Sequence, residues 1–180
     1  MAKRPPKSVT LHEGKYIRLV QRGRWEFAQR TKVTGIVMVV PITAKNEIIL
    51  IEQFRPALSK TIIELPAGLA GDIEGTENEA LATSAHRELL EETGYTASRM
   101  KQITQGPPSA GLCDEVITIF LATGLKKIGK GEGDGHEDIT THCIKLSRVE
   151  SWLKKRESAT TMIDLKLWAG LYFAKKHIKA

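Results

Sequence analysis

Glu88, Glu91 and Glu92 stand at relative positions 0, +3 and +4. On a helix that spacing gathers three carboxylates onto neighbouring turns. Like charges four residues apart cost an isolated helix roughly 0.2–0.5 kcal/mol per pair, so the grouping calls for a compensating partner. Stepping about 100° per residue from Glu88, the residues Leu81, Ala82, Ala85 and Leu89 form an apolar stripe, and Glu88 and Glu92 border it. A merely solvated charge run would lie opposite such a stripe. Carboxylates at the margin of a buried face suit a hard divalent cation, which takes oxygen ligands. An acidic rim with accidental spacing is the other reading of three glutamates taken alone. Arg87, one turn before Glu91, is placed to brace it through an i,i+4 pair.

The helix that carries this group is expected to begin near residues 76–79 and run to Thr93, with Gly94 as a C-terminal stop at positive φ. Ahead of it, residues 16–20 and 25–30 flank Arg22-Gly23-Arg24 as a hairpin. The unbroken apolar run 35–40 reads as a strand buried on both faces. Strands are also expected at 47–54 and 61–65, with a turn at 43–46 and a Gly/Asp loop from Leu69 to Gly75. Beyond the helix come strands at 99–105, 116–122 and 139–146, a Gly/Pro loop at 106–111 and a polar segment at 126–135. Helices follow at 149–155 and 160–176, the second with Met162, Leu165, Trp168, Ala169 and Tyr172 down one side. Strands and helices mixed in this order argue for an α/β sheet covered by helices.

At 180 residues the default is one domain with a core of its own. The chain contains no apolar run of membrane length and no signal-type segment, and Cys113 and Cys143 form neither a metal-spacing motif nor a disulfide framework. These features favour a cytoplasmic protein with no membrane partner. The net charge of +6 is segregated: +7 over residues 1–32, −7 over 33–144 and +6 over 145–180. Basic ends around an acidic middle suit a protein that collects cations centrally and receives a polyanion at its margins, or simply one kept soluble by charge. No interleaved aromatic and basic surface points to nucleic acid.

Glu79, seven residues, and then Arg87-Glu88-Leu89-Leu90-Glu91-Glu92-Thr93-Gly94-Tyr95 resemble the signature box of the Nudix hydrolases, in particular the branch acting on ADP-ribose and other nucleoside diphosphate sugars. The likeness extends through Trp25-Glu26, Glu52 to Pro56, Glu64 to Gly68, Cys113-Asp114-Glu115, His136 to Ile139 and Met162 to Lys166, covering roughly residues 15–175. Two features depart from the pattern. The box's opening glycine would fall at position 73, which is Ile; Gly68 lies ten residues before Glu79, so the loop reads as five residues longer. The branch usually carries a proline where Ala110 stands, which raises other sugar nucleotides such as GDP-mannose beside ADP-ribose.

The resemblance implies a Nudix α/β/α sandwich with a mixed central sheet over residues 35–180, and an N-terminal antiparallel arm over 1–34 used for dimerisation and base binding. It implies Mg²⁺ (or Mn²⁺) held by Glu88, Glu91, Glu92 and the carbonyl of Ala67, with Arg87, Glu91, Glu92 and a base or late ligand at Glu137 as the catalytic set. For the substrate it implies Arg55 on phosphate, Trp25 as a stacking face for the base, and Glu64 and Glu115 as further contacts. Glu64 is open to pairing with Arg87, and Glu115 to approaching the metal or the sugar. Family members are often homodimers in which the hairpin crosses to the partner. The implied activity is metal-dependent cleavage of a nucleoside diphosphate sugar to a nucleoside monophosphate and a sugar phosphate. The alternatives are a dinucleoside polyphosphate or nucleoside triphosphate hydrolase, and a non-catalytic module binding nucleotide or RNA through its basic ends.

Overall fold

The computed structural model describes residues 6–73, 75, 77–131 and 138–178. Its strands are β1 (Ser8–Glu13), β2 (Ile17–Arg22), β3 (Trp25–Arg30), β4 (Gly35–Pro41), β5 (Glu47–Arg55), β6 (Lys60–Glu64) and β7 (Ala67–Ala70). Helix α1 (Leu81–Thr93) separates these from β8 (Tyr95–Gly106), β9 (Ile117–Lys127) and β10 (Thr140–Lys145). A short 3₁₀ turn, α2 (Val149–Arg156), β11 (Thr161–Ile163) and α3 (Leu165–Lys175) complete the order.

The apolar run of β4 sits at the centre because both of its faces have something to cover. Val37 and Val39 join Ala85 and Leu89 of α1 with Phe120 and Ala122 of β9. Met38 and Val40 point the other way, into a larger core with Ile48, Leu50, Ile63, Leu65, Val149, Leu153 and Leu167. Alternation along a strand thus sends successive residues to two different layers. β4 pairs antiparallel with β7 and parallel with β9, which pairs antiparallel with β8, giving the mixed order β7-β4-β9-β8. A second four-stranded sheet, β10-β5-β6-β11, backs it. With α1 packed on one side and α2 and α3 on the other, the α/β layering read from the sequence holds, the mixed sheet being divided into two four-stranded pieces.

The N-terminal hairpin forms, turning at Gly23 (φ 63) with Arg22 opposite Trp25. β1 adds a third antiparallel strand to it. Leu69 and Ala70 were expected in a loop; they end β7 instead, all four of whose residues pair with β4. The last helix also differs from expectation. Residues 161–163 are extended and pair parallel with β6, and Asp164 caps α3 by accepting from the Lys166 amide. The buried side of α3 carries Leu167, Gly170, Leu171 and Ala174, whereas Leu165 is 81% and Tyr172 60% exposed. The helix is apolar on both sides, so composition could not single out the inward one; the paired strand before it sets its rotation. A β-carbon on Gly170 would run into the Leu65 side chain, so this turn lies directly on the core.

Candidate active site

Ala85 and Leu89, both fully buried against the first sheet, fix the rotation of α1. That rotation carries Glu88 and Glu92 inward, to 8% and 3% exposure, and leaves Glu91 nearer the surface. Gly94 ends the helix in the left-handed region at φ 72, its amide donating to Leu90 O, as its lack of a side chain permits. Segment 129–131 packs glycine against glycine on this stop: the amides of Ile128 and Gly129 donate to Gly94 O.

Arg87 is the hub of the charged group. Its guanidinium lies 2.8 Å from Glu88 and 3.2 Å from Glu91, the i,i+4 brace, and 3.5 and 3.6 Å from Glu79 and Asp72. It also donates to Leu69 O at 2.8 Å, and Ser84 Oγ donates to the same carbonyl at 3.2 Å. These bonds bolt α1 to the end of β7. Four carboxylates around one cation leave an excess of negative charge. Burial, with Glu91 and Asp72 nearby, pushes the Glu88 carboxyl up to about 7, against the downward pull of Arg87. Nε of Arg87 is buried without a hydrogen-bond partner among the described residues.

The strand opposite is shaped to this helix. A β-carbon on Gly68 would fall inside the Glu88 carboxylate, so glycine alone lets β7 approach so closely. One residue earlier, the Ala67 amide donates to Glu92 Oε2 at 2.9 Å. Among the described residues no three carboxylate, imidazole or thiol groups converge tightly enough to enclose an ion; Glu88 and Glu91 lean on Arg87, and Glu92 on Ala67. The donor chemistry nevertheless fits a hard divalent cation: oxygen groups only, two of them buried, and a carboxyl that burial and neighbouring carboxylates raise to about 7.

The remaining expected residues are dispersed around this centre. Glu64 pairs with Arg55 at 2.6 Å and accepts from Gln53 at 3.3 Å, rather than reaching Arg87. Trp25 is 62% exposed at the hairpin, with the Arg24 guanidinium over its ring. Glu115 pairs with Arg30 at 2.6 Å, in the seam between the N-terminal sheet and the core. Glu137 lies outside the described residues. Asp72 and Ser84 were not singled out from the sequence; an arginine among several glutamates was the signal that further partners would be near.

A cleft of about 830 Å³ opens from Asp72 and Gly71 past Thr34 to Arg18, Gln29 and Arg30. Asp72, in contact with Arg87, links this cleft to the glutamate group. The NUDIX domain model matches residues 32–161. The chain belongs to the NUDIX domain family. Over 127 residues the NUDIX chain is 38% identical to an ADP-ribose pyrophosphatase of Bacillus subtilis, covering 70% of this chain and 66% of that one. Over 123 residues it is 35% identical to a methanol dehydrogenase activator of Bacillus methanolicus, covering 68% and 64%. The matched parts thus span just under two thirds of each of these relatives. A crystal structure of an ADP compounds hydrolase shares the fold, with a TM-score of 0.74 at 18% identity over 98% of this chain and 95% of that one. No helix among the described residues is long and apolar enough to cross a membrane.

Proposed function

We propose that the chain is a metal-dependent pyrophosphohydrolase of nucleoside diphosphate sugars, of the ADP-ribose or GDP-mannose type. The observation that carries this is the Arg87-centred group: carboxylates gathered on one arginine and held against the end of a strand, one of them raised by burial to about 7. The names of relatives and of the structural neighbour support the substrate class.

Glu88, Glu91 and Glu92, with the Ala67 carbonyl, would hold Mg²⁺ or Mn²⁺. Such an ion supplies charge neutralisation at phosphate oxygens and acidifies a water bound to it. Arg87 keeps Glu88 and Glu91 turned to one side of the helix, and the Ala67 amide fixes Glu92. Arg55 is the proposed phosphate contact, its guanidinium plane set by Nε and Nη2 donating to Glu64. The role of Glu137 as proton acceptor rests on its place in the sequence. Trp25, half open on the hairpin, offers a flat face to a base. The same N-terminal region, residues 1–34, is the proposed dimerisation arm. A small sheet with Val9, Leu11, Ile17 and Leu19 all exposed gains most by covering them with a second copy.

The test is a panel: purified protein with Mg²⁺ or Mn²⁺, offered ADP-ribose, GDP-mannose, UDP-glucose, a dinucleoside polyphosphate and a nucleoside triphosphate, with products separated by anion exchange. Release of nucleoside monophosphate and sugar phosphate from one or more of the sugar nucleotides is expected. Cleavage confined to the last two compounds, or none with either ion, would overturn the reading.

A further inference from the structure

Ser84 is wholly buried in α1, at a position where alanine would suit the helix better and bring no hydroxyl to satisfy. The hydroxyl crosses from the helix to β7, donating to Leu69 O at 3.2 Å. Ser84 Oγ also lies 3.4 Å from Nη2 of Arg87. A guanidinium can only donate, so Ser84 must accept from the arginine, and its single hydrogen is committed to Leu69 O.

Arg87 is thereby divided between two sets of partners. Nη2 meets Leu69 O at 2.8 Å, then Ser84, Glu79 and Asp72. Nη1 meets Glu88 at 2.8 Å and Glu91 at 3.2 Å. The second set consists of two of the carboxylates proposed to hold the divalent ion. Nη1 and that ion therefore compete for the same oxygens. How firmly Nη2 is held on its own side decides how readily Nη1 gives them up.

A guanidinium with both arms free pairs bidentately with carboxylates, a stronger bond than one arm makes. We propose that Ser84 is a positioning residue for the metal. By tying Nη2 to the end of β7, it keeps Arg87 from closing on Glu88 and Glu91 with both nitrogens, and so sets the affinity of those glutamates for a divalent ion. This rests on the hydrolase reading above and assigns a control on its metal to a residue that is not itself a ligand.

Metal binding can be measured without turnover. Mn²⁺ alone is titrated into the full chain, and the free ion is read from its paramagnetic resonance signal, for the wild type, Ser84→Ala and Thr34→Val. Thr34 is the control: its Oγ1 donates to Ala70 O at 3.0 Å, the next carbonyl of the same strand. Valine keeps its branched shape without the hydroxyl. Each variant loses one bond that pins β7, so both are expected to melt slightly below the wild type, but only Ser84→Ala frees Nη2. The expected result is Mn²⁺ affinity weaker by about fivefold in Ser84→Ala, the worth of one net hydrogen bond, and unchanged in Thr34→Val. Equal affinity in the wild type and Ser84→Ala overturns the proposal and leaves the hydrolase reading standing. So does an equal loss in both variants, which would mean that Ser84 acts only by holding the strand. A wild type that takes up no Mn²⁺ removes the metal itself, and the proposal then falls together with the hydrolase reading.

Discussion

At the α1 end of the cleft, Glu88 and Glu92 are almost wholly enclosed, Arg87 joins four carboxylates, and glycine is obligatory where β7 meets the helix. In the N-terminal sheet, every residue of β1 is exposed, and Val9, Leu11, Ile17 and Leu19 are open to solvent. The first region is organised by contacts within a short stretch of chain and one adjoining strand. The second has apolar surface that nothing among the described residues covers, and its contact with the core runs through 112–115. Charge is buried where chemistry is proposed, and apolar surface is exposed where a partner is proposed. Each inverts the usual preference of side chains for core or water, and each therefore points to something bound.

The largest effect should come from breaking the enclosed end. Glu92→Gln keeps an oxygen to accept from the Ala67 amide, so the fold should survive. Turnover should fall on the order of 10²–10⁴-fold, the range for losing a group that takes direct part in the reaction. Wild-type turnover with an unchanged response to added Mg²⁺ would exclude Glu92 from the site. Next in size is Gly68→Ala. Its added methyl must displace the Glu88 carboxylate or push β7 off the helix, and overpacking of this kind costs about 1–3 kcal/mol. A denaturation midpoint equal to wild type would show that Glu88 has room to move, and that the close approach is not what holds it.

The contrast between the two regions also explains what could be read from sequence. The helix, its stop at Gly94, the inward side carrying Ala85 and Leu89, and the Arg87–Glu91 brace all depend on spacings of three or four residues, which a linear reading can measure. β4 announced itself by an unbroken apolar run. The phase of α3 did not, because Leu165 and Tyr172 are as apolar as Leu167 and Leu171; only the pairing of β11 with β6 selects between them. The partners Asp72 and Asp114 were likewise out of reach, since each meets its arginine or glutamine across a distance in sequence that no local period encodes. Arg55 with Glu64 is intermediate: both were singled out, but their mutual pairing follows from the antiparallel register of β5 and β6.

The exposed region should respond in assembly before it responds in stability. Leu11→Asp places a charge on the face proposed to meet a second copy, without touching either core cluster. Sedimentation should show dimer converted to monomer, while the melting temperature at high dilution stays within a few degrees of wild type. An unchanged sedimentation coefficient would place the dimer contact elsewhere or remove it.

The last test concerns the buried carboxyl of Glu88 itself. In the folded chain Glu88 is pushed from an ordinary 4.5 up to about 7. Between those values the folded protein holds a proton that the unfolded chain releases, so stability without added divalent ion should decline as pH rises through this window. The decline is complete only above about 7, where the buried carboxylate is charged in both states and its burial cost is fully felt. Urea midpoints taken from pH 4.5 to 8 in the wild type and in Glu88→Gln isolate this group, since other titrations contribute to both curves. The difference between the curves should grow with pH, and millimolar Mg²⁺ should shrink it by supplying the missing positive charge. Parallel curves, or a difference that grows toward acid, would mean that Arg87 already neutralises Glu88 and that the glutamates need no further cation.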